Sequence, residues 1–111
     1  MLPSDRVRLR HIAEALSGAI EFTRGRTRDQ MATDRALAFA AARAIEIAGE
    51  AASKLSSEFR QQHPGIPWPQ IIGMRNRLED AYFDIDPDIL WETAVVAAAE
   101  LLPQILHLLA E

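Results

Sequence analysis

The sequence has no cysteine among its 111 residues. This absence excludes a disulfide framework and any metal site built from cysteine thiolates. A charged N-terminal segment followed by a long apolar stretch is also missing, so we expect no secretory signal and a cytoplasmic location. A chain of this length provides material for one hydrophobic core but not for two, and we expect residues 1–111 to form a single domain.

Sequence signatures of several enzyme classes are absent as well. There is no Gly-rich phosphate loop, and no serine lies in a nucleophile-elbow context. The three histidines, His11, His63 and His107, are far apart in the sequence and are expected at the surface rather than in a metal site. We therefore expect no metal ion and no other cofactor.

Basic residues are lacking in the C-terminal third. All twelve Lys and Arg precede residue 78, six of them lie within the first 28 residues, and eight acidic residues follow from Glu79 onward. The net charge of -4 argues mildly against nucleic acid, because phosphate binding usually leaves a basic footprint. Two interpretations remain open. The acidic half is simply a solvated surface, or the N-terminal arginines form a basic surface that receives RNA or an acidic partner.

Apolar residues recur with helical spacing, and no stretch alternates with period two. This pattern predicts an all-α fold, an antiparallel four- or five-helix bundle. Ser4 is expected to cap a first helix that ends near Gly25. A second, alanine-rich helix is expected from Thr33 to about Leu55, and its alanines and Gly49 indicate close approach of a neighbouring helix.

Prolines mark the later helix boundaries. Pro69 suits the first turn of a third helix, which should carry Ile71 to about Tyr82. Asp86 followed by Pro87 predicts the start of a fourth helix, because the aspartate can cap the helix and proline is favoured at its first position.

The fourth helix contains the longest weakly charged run, residues 94–110. Charged or helix-disturbing residues interrupt this run, and its apolar residues follow a helical period. We therefore expect a core helix rather than a membrane span. Pro103 should kink or split it.

Side chains capable of chemistry concentrate in residues 73–91, which read GMRNRLEDAYFDIDPDILW. The candidates are Arg75, Asn76, Asp80 and Tyr82. In a helix of 3.6 residues per turn, Arg75 and Tyr82 are seven apart and nearly superimposed, while Asn76 and Asp80 lie on an adjacent strip. One helix can therefore present all four side chains toward one cleft.

This spacing, preceded by the Ile-Pro-Trp of residues 66–68, resembles the HepT-like branch of the HEPN ribonucleases, whose signature reads R-N-x-x-x-H-x-Y. Arg75, Asn76 and Tyr82 fall at the signature positions. Asp80 occupies the position of the histidine. The resemblance extends over nearly the whole chain, from the N-terminal helix to the C-terminal one.

The resemblance implies a symmetric homodimer in which two motif clefts meet and cleave RNA, such as tRNA or mRNA, without a metal. The ribose 2'-hydroxyl attacks the neighbouring phosphate, the motif histidine moves protons, and the arginine, here Arg75, stabilises the phosphorane. It also implies the toxin half of a bacterial, type VII-like toxin–antitoxin pair. The antitoxin is a minimal nucleotidyltransferase that transfers AMP onto the motif tyrosine, here Tyr82.

The residues themselves also favour a dimer. The apolar and small-residue faces of the four expected helices exceed what so small a bundle buries internally.

Asp80 fits the role of the histidine poorly. The reference pKa of an aspartate is about 3.9, against about 6.5 for histidine, so Asp80 is an anion at neutral pH that cannot donate a proton. We therefore expect a weakened or inactive ribonuclease. Two such carboxylates facing each other across a dimer axis could instead share a proton. The alternative function is a non-catalytic helical dimer that binds a partner and has lost the nuclease chemistry.

Ordinary helix-surface pairs offer another explanation of the charged motif residues. Arg75 can pair with Glu79 and Arg77 with Asp80, each pair contributing only a few tenths of a kcal/mol.

Glu50 lies on the alanine-rich helix, where a charge requires a partner, and Arg75 is a candidate. Simple exposure of Glu50 is the other interpretation. Arg77 and Glu50 are accordingly predicted as supporting residues of the site.

Overall fold

A computed structural model describes residues 1–73 and 86–111 of the chain. All regular secondary structure in these residues is helical, and none of them forms a strand. The prediction of an all-α helical bundle is therefore confirmed. The helices are α1 (Pro3–Thr23), α2 (Arg28–Thr33), α3 (Arg35–Ser53), α4 (Ser57–Gln62) and α5 (Pro87–Ala110), and residues 68–73 are also helical.

The first helix begins earlier than the sequence predicted. Leu2 occupies the N-cap position without a side-chain cap, and Pro3 is the first helical residue. The prediction that Ser4 caps the helix is wrong, because proline has the φ angle of a helix and no N–H that needs a partner, so it starts the helix before Ser4. The helix ends at Thr23, and Gly25 adopts a φ of 72°, a left-handed conformation that glycine tolerates without strain.

A short helix that the sequence did not predict, α2, precedes the alanine-rich one. It starts with a capping box: the Thr27 side chain accepts from the Gln30 N–H, and the Gln30 side chain accepts from the Thr27 N–H. Thr33 is consequently the last residue of α2 and not the start of α3. The cap of α3 is Asp34, whose carboxylate accepts the Leu37 N–H at 3.1 Å.

The core forms where α1 packs against α3 and α5. Most of the positions that the helical spacing predicted to be apolar and inward are buried on α1 and α3, whereas Ile20 and Ala40 are half-buried. On α1 and α3 these buried positions are Leu9, Ile12, Ala13, Leu16, Ala19, Leu37, Ala41, Ala44, Ile45, Ala48 and Ala52. Most of the α3 residues are alanines, so the two helices meet through small side chains, as expected.

The last helix, α5, begins as the sequence predicted. The Asp86 carboxylate accepts the Asp88 N–H at 2.8 Å, and Pro87 is the first helical residue. The helix is not split at Pro103, which lies inside the α-helical part Ala98–Ala110. Its irregular part is the preceding segment Glu92–Ala97, which is π-helical.

Within the described residues, α5 is the one helix that is long and apolar enough to cross a membrane by length and composition. This is weak evidence of a span, because the core helix of a compact bundle meets the same criteria. One side of α5 packs into the core, as the prediction of a core helix requires. Its buried residues are Leu90, Ala94, Ala98, Leu101, Ile105 and Leu108.

Candidate active site

The predicted motif residues lie outside the described residues. These are Arg75, Asn76, Arg77, Asp80 and Tyr82, all within positions 74–85. Their predicted roles therefore remain predictions. The structure defines the two segments that flank them and the helices that hold those segments in place.

The N-terminal flank of the motif segment is fixed by a buried aromatic cluster. Trp68, only 3% exposed, donates its indole N–H to the carbonyl of His63 at 3.0 Å. The ring of Phe59 on α4 lies 6.2 Å from the Trp68 ring and 4.5 Å from that of His63. Ile71, one turn further, is 1% exposed. The helical residues 68–73 are thus held against α4 and the core immediately before the motif.

A buried carboxylate fixes α4 in turn. Asp5 on α1 is 2% exposed, and its two oxygens accept from the backbone N–H of Ser56 at 2.8 Å and from the Ser56 hydroxyl at 2.7 Å. The same hydroxyl accepts the Phe59 N–H and so caps α4. Because a buried charge is costly unless hydrogen bonds satisfy it, this contact is specific to the observed arrangement of α1 and α4.

The C-terminal flank of the motif segment is held by ion pairs between α2 and α5. The Arg28 guanidinium contacts Asp88 at 3.4 Å and also Glu92. Its hydrogen bond with Glu92 raises the pKa of Arg28 above its ordinary value, with a further contribution from Asp88. Exposed pairs of this kind contribute little to stability, so they align the start of α5 more than they stabilise the fold.

Two of the N-terminal arginines, Arg6 and Arg28, contact the last helix of the chain. Arg6 donates to the carbonyls of Leu109 and Glu111, both at 3.0 Å, at the end of α5. Arg28 pairs with acids of α5, as described above. Two N-terminal arginines therefore contact the C-terminal part of the chain, and the basic surface for RNA stays a prediction.

Two alternatives were foreseen for Glu50, an ion pair with Arg75 and simple exposure, and the structure shows partial exposure together with an ion pair to another residue. Its side chain is 47% exposed and pairs with Lys54 at 3.3 Å, one turn along α3. The predicted partner, Arg75, is outside the described residues. An exposed pair at this spacing contributes a few tenths of a kcal/mol, so the contact with Lys54 has little effect on stability.

The histidines are dispersed, as the sequence indicated. His11 and His107 are exposed, whereas His63 is half-buried against Phe59. Across residues 1–73 and 86–111 no group of three or more His, Cys, Asp or Glu could hold a metal ion. The three histidines therefore do not form a site together.

Sequence reasoning missed one surface feature, an open groove between α1 and α3 with a volume of about 380 Å³. It could not have been foreseen from periodicity alone, because it depends on which small residues the other helices leave uncovered. Its lining residues are mostly apolar, and Phe22 and Ile47 on its rim are 45% and 37% exposed.

Comparison with known proteins gives consistent results. The model of a protein family described as Ribonuclease HepT-like matches residues 12–108. A protein of Thermococcus cleftensis named "Probable ribonuclease HepT" is 41% identical over 85 residues, which cover 77% of each chain. A "Putative RNase" of Caldanaerobacter subterraneus subsp. tengcongensis is 37% identical over 101 residues, covering 91% of this chain and 90% of the relative. No solved structure matches the chain.

Proposed function

Because the chain belongs to the HepT-like ribonuclease family, we propose that it is the toxin component of a toxin–antitoxin pair, built as a metal-independent RNA endonuclease. The observation that carries this proposal is the extent of the family match. The family match spans residues 12–108, and the positions Arg75 to Tyr82 lie within that span. The proposed substrate is RNA, either tRNA or mRNA.

The side chains of the motif suit this reaction in part. Cleavage by the ribose 2'-hydroxyl creates a phosphorane whose negative charge needs fixed cationic and hydrogen-bonding donors. Arg75 and Asn76 supply such donors. The reaction also needs a group that accepts and donates protons near neutral pH.

Asp80 is poorly suited to that proton transfer. As a carboxylate it has no proton to give at neutral pH, and it repels the phosphate that Arg75 attracts. We therefore propose that the ribonuclease activity of this sequence is weak or absent. If the motifs of two copies meet across a two-fold axis, as the family resemblance implies, two Asp80 carboxylates facing each other can share a proton.

Asp80 also favours a second candidate function, a non-catalytic helical dimer. Such a module would keep the homodimer and the surface for its partner but would no longer cleave RNA. The described scaffold is compatible with both candidates, because the contacts of Asp5 and Trp68 hold the segment that precedes the motif in either case.

Two partners and a location complete the proposal. The chain forms a homodimer in the cytoplasm, and its antitoxin is a minimal nucleotidyltransferase that adds AMP to Tyr82. The AMP group would block RNA by its bulk and its negative charge.

Cleavage assays with and without a chelator test this function. Labelled tRNA and mRNA are incubated with the protein and with its Asp80→His variant, each in the presence and absence of EDTA. We expect weak or no cleavage by the protein and clear cleavage by the variant, unaffected by EDTA. Cleavage that EDTA abolishes would contradict a metal-independent mechanism, and inactivity of both proteins would favour the non-catalytic module.

A further inference from the structure

The groove between α1 and α3 has a floor of small side chains. Ala15 and Gly18 contribute from α1, and Ala40 and Ala44 contribute from α3. A Cβ atom added at Gly18 would meet only the Phe22 ring, at 3.6 Å, so the groove is open at this point. Small residues in such a position let another helix approach closely.

The rim of the groove follows the spacing of a helix–helix contact. On α1 the exposed or half-exposed residues recur at intervals of three or four, and on α3 the rim residues do the same. The α1 series is His11, Glu14, Gly18 and Phe22, and the α3 series is Ala40, Arg43 and Ile47; Gly18 and Ala40 are half-buried and join the rim to the floor. From His11 to Phe22 the α1 series extends over about 17 Å, or three turns of helix.

The rim carries charges of both signs. Glu14 lies on the α1 side, and Arg43 lies on the α3 side with its side chain 71% exposed. Within the chain Arg43 contacts Glu46 at 3.3 Å; the Glu46 side chain is only 14% exposed, whereas the Arg43 guanidinium remains largely open to solvent and to a second copy. A surface with an apolar floor and one charge of each sign is complementary to itself.

We propose that this groove is the surface through which a second copy of the chain binds, which specifies the homodimer proposed above. A two-fold axis along the groove places α1 of one copy over α3 of the other. Glu14 of each copy then faces Arg43 of the second copy, and Phe22 and Ile47 become buried at the interface. An RNA strand fits this surface poorly, because it would meet Glu14 and an apolar floor instead of a series of cations.

Charge exchange across the interface tests the proposal. Glu14→Arg alone and Arg43→Glu alone each place like charges opposite one another, and each should weaken the dimer by about 100-fold. Mixing the two single variants allows a heterodimer. Both of its contacts join opposite charges, so it should form where neither homodimer does. The double variant Glu14→Arg with Arg43→Glu restores opposite charges at both contacts. We expect light scattering to find monomers for each single variant and a dimer for the double variant.

An apolar substitution and a matched control complete the experiment. Phe22→Glu should give a monomer, whereas Leu106→Glu should leave the dimer intact, since Leu106 is 50% exposed on α5, away from the groove. Circular dichroism of each variant checks that it is folded. Dimers that persist in all groove variants would overturn this surface but not the homodimer, whereas an unaltered protein that is monomeric at micromolar concentration would overturn both. Ribonuclease activity of Asp80→His, measured separately, is the test of the function itself.

Discussion

The carboxylate of Asp5 accepts two hydrogen bonds from Ser56, a residue 51 positions away in the sequence. One comes from the backbone N–H at 2.8 Å and the other from the hydroxyl at 2.7 Å. The contact joins the first turn of α1 to the cap of α4. Since α4 holds Trp68, this buried pair also sets the position of the segment that leads into the motif.

Removing the carboxylate should destabilise the fold. Hydrogen bonds to charged groups are worth about 1.5–3 kcal/mol, so we expect Asp5→Ala to lower the free energy of unfolding by roughly that amount. Urea denaturation measures the change. Asp29→Ala, at an exposed carboxylate on α2, serves as the control and should change the free energy by less than about 0.5 kcal/mol. Equal effects of the two substitutions would show that the Asp5–Ser56 contact contributes little.

Acid should weaken the junction between α2 and α3. Arg26 donates to the Asp34 carboxylate at 2.5 Å and the Leu37 N–H donates at 3.1 Å, and these contacts lower the pKa of Asp34. Because the pKa is lower in the folded state, the stabilisation is fully present above the ordinary value of about 4 and is lost as the pH falls through the folded-state pKa.

The Asp34→Asn variant tests this dependence. Its free energy of unfolding should decline less steeply than that of the unaltered protein as the pH falls below about 4. Asp29→Asn removes an exposed carboxylate from the same part of the chain and should keep the steeper decline. If Asp34→Asn followed the same curve as the unaltered protein, the interaction with Arg26 would not be responsible for the acid sensitivity.

The periodicity of the sequence predicted the long helices well, but not where α1 and α3 begin or the short helix between them. Apolar spacing identified the buried faces of α1, α3 and α5, because burial is what such spacing records. The α2 helix was not predicted, although the Thr27 to Gln30 spacing is that of a capping box. The start of α1 was also not predicted, because the helix begins at Pro3 and not after a cap at Ser4.

The site was predictable from the sequence only in its chemistry. The motif spacing suggested Arg75, Asn76, Asp80 and Tyr82, and because these residues lie outside the described part of the chain their roles stay predictions. The anchors that hold the flanks could not be foreseen, since Asp5 and Ser56 meet only through the tertiary arrangement of α1 and α4. The groove between α1 and α3 depends in the same way on which alanines the bundle leaves uncovered.

Restoring a proton-transfer group at position 80 should restore catalysis. We expect Asp80→His to raise the rate of RNA cleavage by about 10²–10⁴-fold, the range for a positioned general acid or base. Adding Arg75→Ala to this variant should abolish the gain, because the phosphorane would lose its cationic donor. Single-turnover cleavage of a labelled RNA gives the rates. Asp80→Asn is the control, since it removes the negative charge without supplying a proton carrier.

Comparison of the Asp80→Asn and Asp80→His variants separates two explanations. If Asp80→Asn gained as much activity as Asp80→His, the defect would be repulsion of phosphate by the carboxylate. Equal activity of the unaltered protein and Asp80→His would instead show that proton transfer at this position does not limit the reaction. Arg75 and Asn76 would then act through electrostatic stabilisation alone.

Tyr82 should accept AMP from the antitoxin. A tyrosine hydroxyl can attack the α-phosphate of ATP, forming a phosphodiester with AMP and releasing pyrophosphate, and an arginine nearby can hold the incoming phosphates. Acidic residues precede and follow Tyr82, and their charge should slow the approach of ATP. Intact-mass spectrometry and peptide mapping after co-expression with the cognate nucleotidyltransferase measure the modification, with Tyr82→Phe as the control.

The Asp80→His variant shows how far Asp80 affects this second reaction. If the nucleotidyltransferase modifies Asp80→His but leaves the unaltered protein unmodified, the aspartate has impaired AMP transfer together with RNA cleavage. Modification of both proteins at Tyr82 would show that the antitoxin still recognises a toxin whose nuclease is weakened, as a partner-binding module would require. If AMP appeared on neither protein, or persisted in Tyr82→Phe, then Tyr82 would not be the acceptor and inhibition would have to act through binding alone.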